Sequence, residues 1–164
     1  MKENYNSFYF FVFLFSLYMN ENKRGIQKRI ITNIETRDKF LGILKEMNPG
    51  LFVIKLGAKW CGPCKQIAHI IDAFFASSPS NVLCADIDVD ECFNLYSFLK
   101  TKKMVNGIPA ILCYVKGNNG YVPNCSVTGA DPAQLHFFFK KCGNILEKLN
   151  KLNNKDNENQ IEEN

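Results

Sequence analysis

An apolar run, Leu51, Phe52, Val53, Ile54, Lys55, Leu56, leads into Trp60-Cys61-Gly62-Pro63-Cys64, after which Ile67, Ile70, Ile71 and Phe74 recur at helical spacing. This order predicts a buried strand, a short loop and a helix that starts at the cysteines. Cys61 then falls near the N-cap and Cys64 one turn in. Unpaired N–H groups and the positive end of the helix dipole stabilise negative charge on the Cys61 sulfur. Cys64 is close enough to share a proton or to close a disulfide. Gly62 is expected to let the loop turn tightly, and Pro63 fits a first helical turn where its missing N–H costs nothing. Two other readings compete. Zinc normally takes four ligands, and His69, the one extra candidate nearby, has no second C-x-x-C or histidine pair to complete a set, so no metal is expected there. Inert core cysteines would not need Gly-Pro between them. Redox chemistry is the stronger reading.

The rest of the chain alternates strands and helices. Arg29 to Ile34 reads as a first strand, and Phe40, Ile43, Leu44 and Met47 as one helical face that stops before Asn48-Pro49-Gly50. Asn81 to Val89 reads as a third, central strand, and Cys92, Leu95, Tyr96 and Leu99 as a third helix. Ala110 to Val115 is a buried strand, Gly117-Asn118-Asn119-Gly120 a hairpin turn, and Tyr121 to Thr128 its partner, with Pro123 demoting that partner to the sheet edge. Asp131, Pro132 and Gln134 start a last helix, whose face is Leu135, Phe138, Phe139, Cys142, Leu146 and Leu149. Such an order makes an α/β domain with a mixed sheet between helices.

A chain of 164 residues holds one such domain with a real core. Its formal charge of +4 is not gathered into a basic stripe with interleaved aromatics, so nucleic acid is not indicated. The basic cluster Lys23, Arg24, Lys28 and Arg29 reads as a solvated lead-in. Beyond the C-x-x-C pair, Cys84, Cys92, Cys113, Cys125 and Cys142 are scattered and give no disulfide framework. Cys84, Cys113 and Cys142 read as small buried hydrophobes. Cys92 and Cys125 are left open. Spare exposed thiols would be scrambled in an oxidising compartment, so a reducing, cytoplasmic location is expected. Residues 1–25 stand apart. Phe8 to Met19 is aromatic-rich and apolar but too short to span a bilayer. It is read as a signal-like core without an A-x-A-like site, as an uncleaved anchor, or as an over-extended start ahead of Met19, with some preference for the last. A membrane enters only if residues 1–19 are retained. From Asn150, polar residues predominate and a disordered tail, 150–164, is expected.

Taken with two later segments, these residues resemble the thioredoxin family, whose active site reads W-C-G-P-C. Gly107-Ile108-Pro109-Ala110 resembles that family's cis-proline loop, and Val127-Thr128-Gly129-Ala130 its glycine turn before the last helix. The resemblance spans residues 26–149 and implies the thioredoxin fold, a central mixed four- to five-stranded sheet flanked by helices. It also implies a thiol–disulfide oxidoreductase that reduces protein disulfides. Cys61 would be the more exposed nucleophile and Cys64 the resolving thiol, cycling through a Cys61–Cys64 disulfide with no bound cofactor. Electrons would come from a thioredoxin reductase. Trp60, Pro63, Ile108, Pro109, Gly129 and Ala130 match the family's apolar docking surface, although Pro109 could be an ordinary trans turn proline and Ile108 a core residue. One position departs from the pattern. Lys55 stands where the family usually has a buried acid that exchanges protons with the second cysteine, and Cys84 where many members have a lysine facing it. The proton-transfer pair is therefore absent or inverted. Two alternatives stay open: an interaction module whose dithiol is incidental or a redox-gated latch, and an anchored or secreted disulfide maturation factor.

Overall fold

The computed structural model describes residues 30–118 and 120–162, the stretch 153–162 by its backbone alone. Residues 1–29 lie outside the described residues, and with them the expectations for segment 1–25, the Phe8 to Met19 run and the basic cluster. Arg37–Glu46 forms α1, capped by the Thr36 hydroxyl, which accepts from the Lys39 N–H at 3.2 Å. Leu51–Gly57 is β1, Gly62–Ser77 is α2, Val82–Asp88 is β2 and Phe93–Thr101 is α3. Ala110–Val115 is β3, Cys125–Thr128 is β4 and Pro132–Glu162 is α4.

The four strands lie in the order β2-β1-β3-β4, with β1 parallel to β2, β3 antiparallel to β1, and β4 antiparallel to β3. Period-two alternation along β1 divides the interior into two layers. Phe52, Ile54 and Leu56 face one layer with Phe40, Leu44, Leu95, Leu99 and Tyr114. Leu51 and Val53 face the other, among Ile67, Ile71, Phe75, Ile111, Leu135 and Phe139. Stacking of Phe74 on Phe139, with ring centroids 4.3 Å apart, joins α2 to α4 in that second layer.

Four expectations need correction. The first strand contracts, among the described residues, to a single parallel bridge between Ile31 and Ala85, so β2 is otherwise an edge strand and not a central one. The Ile31 N–H donates to the Cys84 carbonyl and the Asp86 N–H to the Ile31 carbonyl, both at 2.9 Å, before the chain leaves the sheet. The strand placed at Tyr121 to Thr128 begins only at Cys125. Ahead of it Pro123 offers no N–H, and the Asn124 side chain accepts from the Val115 N–H at 2.9 Å in place of a strand carbonyl. The last helix starts as expected, with the Asp131 carboxylate accepting from the Gln134 N–H at 2.8 Å, but it continues through Glu162 where a disordered tail was expected. Beyond Leu149 the sequence is free of glycine and proline, so no residue in it forces an end on a helix that the core has already nucleated. Finally, all five cysteines outside the C-x-x-C pair are buried, Cys92 and Cys125 included. Burial protects them, which removes the premise for inferring a reducing compartment from spare exposed thiols. Among the described residues no helix is long and apolar enough to cross a membrane.

Candidate active site

The loop between β1 and α2 delivers the two cysteines. The Cys61 N–H donates to the Ala58 carbonyl at 3.1 Å and turns the chain, and Cys61 then takes the N-cap of α2 with extended backbone. Its Sγ accepts from the Cys64 N–H at 3.2 Å, so one of the amides left unpaired at a helix start is satisfied by sulfur. Cys61 and Cys64 are joined as a disulfide, with their Cα atoms 5.3 Å apart. Both residues are 4% exposed, so Cys61 is not the more exposed of the two in this oxidised state. What separates them is position: one caps the helix, the other lies a turn inside it. Pro63 stands in the first turn as expected, and Pro63 and Gly62 are both exposed. The expectation that Gly62 is needed for a tight turn is corrected, because its φ is not positive and a Cβ there would meet nothing within 4 Å.

The loop after β2 braces this corner. The Val89 N–H donates to the Gly57 carbonyl at 2.8 Å, and the Trp60 indole Nε1 donates to the Asp90 carboxylate at 2.6 Å, holding an indole that is 67% exposed. Lys59 pairs with Glu91 at 2.6 Å across water-exposed side chains. The Glu91 hydrogen bond and the nearby carboxylates of Glu91 and Asp88 raise the Lys59 pKa.

On the far side of the corner the Ile108–Pro109 peptide is cis, which answers the choice between a cis and an ordinary trans proline. Pro109 is buried and Ile108 half-buried against the first core layer. Ala110 pairs with Leu56, so this loop reaches the same end of the sheet as the dithiol. The Gly129 N–H donates to the Pro109 carbonyl at 2.8 Å, tying the turn before α4 to that loop. Gly129 has φ +98, a conformation that glycine adopts without steric cost, and both it and Ala130 are half-buried.

Beneath Cys64 lies a feature that the sequence pattern left half-read. Lys55 is neither alone nor turned to water: its Nζ donates to Asp86 Oδ1 at 2.7 Å, with the two side chains 15% and 37% exposed. Lys55 and Asp86 are register partners across β1 and β2. A Cβ placed on Gly57 would stand 3.3 Å from both Lys55 Nζ and Cys64 Sγ, so the ammonium and the sulfur share one small space that the glycine keeps open. Sequence reasoning looked for a partner at position 84, whereas parallel register supplies it at position 86. The ion pair is present with the cation on β1 and the acid on β2.

Comparison with known proteins agrees with this geometry. The Thioredoxin family model matches residues 31–141. Thioredoxin of Callithrix jacchus is 32% identical over 75 residues, which are 46% of this chain and 70% of that protein. Thioredoxin of Mus musculus is 32% identical over 84 residues, 51% of this chain and 75% of that protein. The structure of Trichomonas vaginalis thioredoxin superposes with a TM-score of 0.55 at 28% identity, covering 68% of this chain and 96% of that one.

Proposed function

The chain belongs to the thioredoxin family and is a thiol–disulfide oxidoreductase, and from that premise we propose that it works as a protein-disulfide reductant through Cys61 and Cys64. The observation that carries this reading is the Cys61 sulfur at the N-cap of α2, accepting the Cys64 amide while bonded to Cys64. The same amide and the helix dipole stabilise a thiolate once the disulfide is reduced.

In the reaction the Cys61 thiolate attacks one sulfur of a substrate disulfide, forming a mixed disulfide and releasing the other substrate sulfur as a thiolate. Cys64 gives up its proton to solvent and attacks the Cys61 sulfur, the second substrate sulfur leaves as a thiolate, and the two released substrate thiolates take up protons from solvent. The site ends oxidised and the substrate reduced by two electrons. Trp60, Pro63, Ile108, Pro109, Gly129 and Ala130 bind the substrate segment, a role supported by their convergence at one end of the sheet. Lys55 stabilises negative charge on Cys64 as it attacks, with Asp86 holding the ammonium in place. A thioredoxin reductase returns the electrons, and a reducing compartment suits that direction of flow. No cofactor beyond the dithiol enters the scheme.

The test is insulin reduction by the full chain, followed as turbidity with dithiothreitol as reductant, together with trapping on a disulfide-bonded protein substrate. Cys61→Ser abolishes catalysis, while Cys64→Ser retains one turnover and accumulates mixed disulfides through Cys61. Equal accumulation by both variants overturns the division of roles, and turbidity no faster than with dithiothreitol alone favours an interaction module instead.

A further inference from the structure

Away from the dithiol, three elements bring one cysteine each to a common point. Cys113 of β3 and Cys125 of β4 are register partners, and Cys142 projects onto them from α4. The three Sγ atoms lie within 4.8 Å of one another, with Cys125 and Cys142 at 3.9 Å. Burial is near complete, at 0%, 9% and 1% exposure, and the surroundings are the apolar second core layer. All three are free thiols. Cys113 pairs with Cys125 on the sheet and lies across from Val53 of β1, whereas Ala110 pairs with Leu56 beside the active-site corner. The cluster is therefore displaced along the sheet from the dithiol and takes no part in the exchange reaction.

We propose that Cys113, Cys125 and Cys142 form a three-thiolate site for a soft monovalent metal ion, Cu(I). Donor chemistry and donor number select the ion. Sulfur-only donors exclude hard cations such as Mg²⁺ and Ca²⁺, which take oxygen. Among the described residues no histidine or carboxylate joins the group, so a tetrahedral zinc site lacks its fourth protein ligand. Cu(I) favours thiolates and is content with three. With metal–sulfur bonds of about 2.3 Å, a trigonal ion needs its sulfurs about 4 Å apart, which the Cys125–Cys142 separation already meets and the third sulfur reaches by a shift of less than about 1 Å. Sulfurs brought to one point from three separate elements are held there by the fold itself, so the site is assembled before the ion arrives. Cys125, on the edge strand β4 and the least buried of the three, provides the way in. Binding displaces thiol protons to solvent and transfers no electrons.

The experiment uses the full chain carrying Cys61→Ser and Cys64→Ser, which removes the competing dithiol, reduced and kept anaerobic. Cu(I) is offered against bicinchoninate, and the sulfur shell is counted by X-ray absorption. The expected result is one ion per chain with three sulfur neighbours. Adding Cys113→Ala or Cys142→Ala lowers the affinity by at least about tenfold and the shell to two sulfurs, with far-UV circular dichroism reporting the fold of each variant. The shell is read with all three thiols present, so a variant that misfolds does not decide the matter. Failure to hold Cu(I) against bicinchoninate, a two-sulfur shell in that chain, or unchanged affinity in a folded Cys142→Ala variant overturns the proposal.

Discussion

Lys55 shows how one residue can be placed correctly and still be misread. A lone ammonium in a buried strand is costly, and that cost frames a choice between a neutral amine and a side chain bent to water. The structure takes a third course, an ion pair with Asp86 at 2.7 Å beside the space occupied by Cys64 Sγ. A cation near a thiol favours the thiolate, and a carboxylate near it disfavours the thiolate. The two partners are therefore expected to act in opposite directions. Lys55→Met removes the cation, leaves the carboxylate, and should raise the Cys64 thiol pKa while slowing resolution of the mixed disulfide. Asp86→Asn frees the ammonium from its counter-charge and should lower that pKa. Thiolate absorbance against pH, with stopped-flow resolution rates, checks both; superimposable curves for the parent and Lys55→Met would remove Lys55 from the reaction. Gly57 belongs to the same unit, since a Cβ there would stand 2.9 Å from Lys55 Cε and press on the sulfur. Neither the pairing nor the need for glycine is written in local sequence. Both depend on which residue of β2 lies opposite which residue of β1, and parallel register is set by packing across the whole sheet.

Elements were legible to the extent that they carry their own signals. Helix α1 has the apolar face Phe40, Ile43, Leu44 and Met47, and α4 has Asp131 and Pro132, starting where hydrogen-bonding chemistry puts it. The dithiol corner was readable for the same reason, because a strand, a C-G-P-C and a helical face follow one another without a gap. Strand ends were not, since alternation of apolar residues says nothing about whether a neighbour is present to pair with. Hence Arg29 to Ile34 read as a strand yet makes one bridge among the described residues, and Tyr121 to Asn124 forms a loop. That loop is fastened to β3 by the Tyr114 hydroxyl, which donates to the Tyr121 carbonyl at 3.1 Å from a fully buried ring. Desolvation of the phenol, with a smaller contribution from Cys113, raises the Tyr114 pKa well above its ordinary value. A raised folded-state pKa stabilises the protein fully below the unfolded value, about pH 10, and that stabilisation is lost as pH climbs beyond it. Unfolding free energy should accordingly fall above about pH 10, with a contribution from this group approaching 1.4 kcal/mol per pH unit. Tyr114→Phe should remove that contribution at a cost of about 1 kcal/mol at neutral pH for the lost hydrogen bond. Urea denaturation of both chains from pH 8 to 11 is the check, and an unchanged alkaline slope in Tyr114→Phe would assign the effect elsewhere.

Across the whole molecule, function and stability are divided along the sheet. The dithiol, the cis-proline loop and the Gly129 turn meet at one end, while the second core layer beneath α2 and α4 runs back toward the cysteine cluster. Helix α4 belongs to that layer only for part of its length. Leu135, Phe138, Phe139, Cys142 and Leu146 are buried, Leu149 packs against them, and the Asn81 amide donates to Asn150 Oδ1 at 3.1 Å. Leu152 is 58% exposed, and from residue 153 onward Ile161 is the one aliphatic residue in the sequence. Helix propensity extends the helix beyond this point without adding an apolar face, and propensity alone contributes little to folding stability. A chain ended after Leu152 should therefore keep its insulin-reducing activity and a Tm within about 3 °C of the parent, a shift equivalent to no more than about 1 kcal/mol. Ending it after Gly143 instead removes Leu146 and Leu149 from the second layer, and losing a single buried leucine already costs about 2–5 kcal/mol. That shorter chain should melt about 10 °C lower, or fail to fold. Calorimetry on the two truncations decides the point: a large loss of Tm in the longer one would mean that residues 153–164 pack on the domain, and no loss in the shorter one would mean that Leu146 contributes nothing to the core.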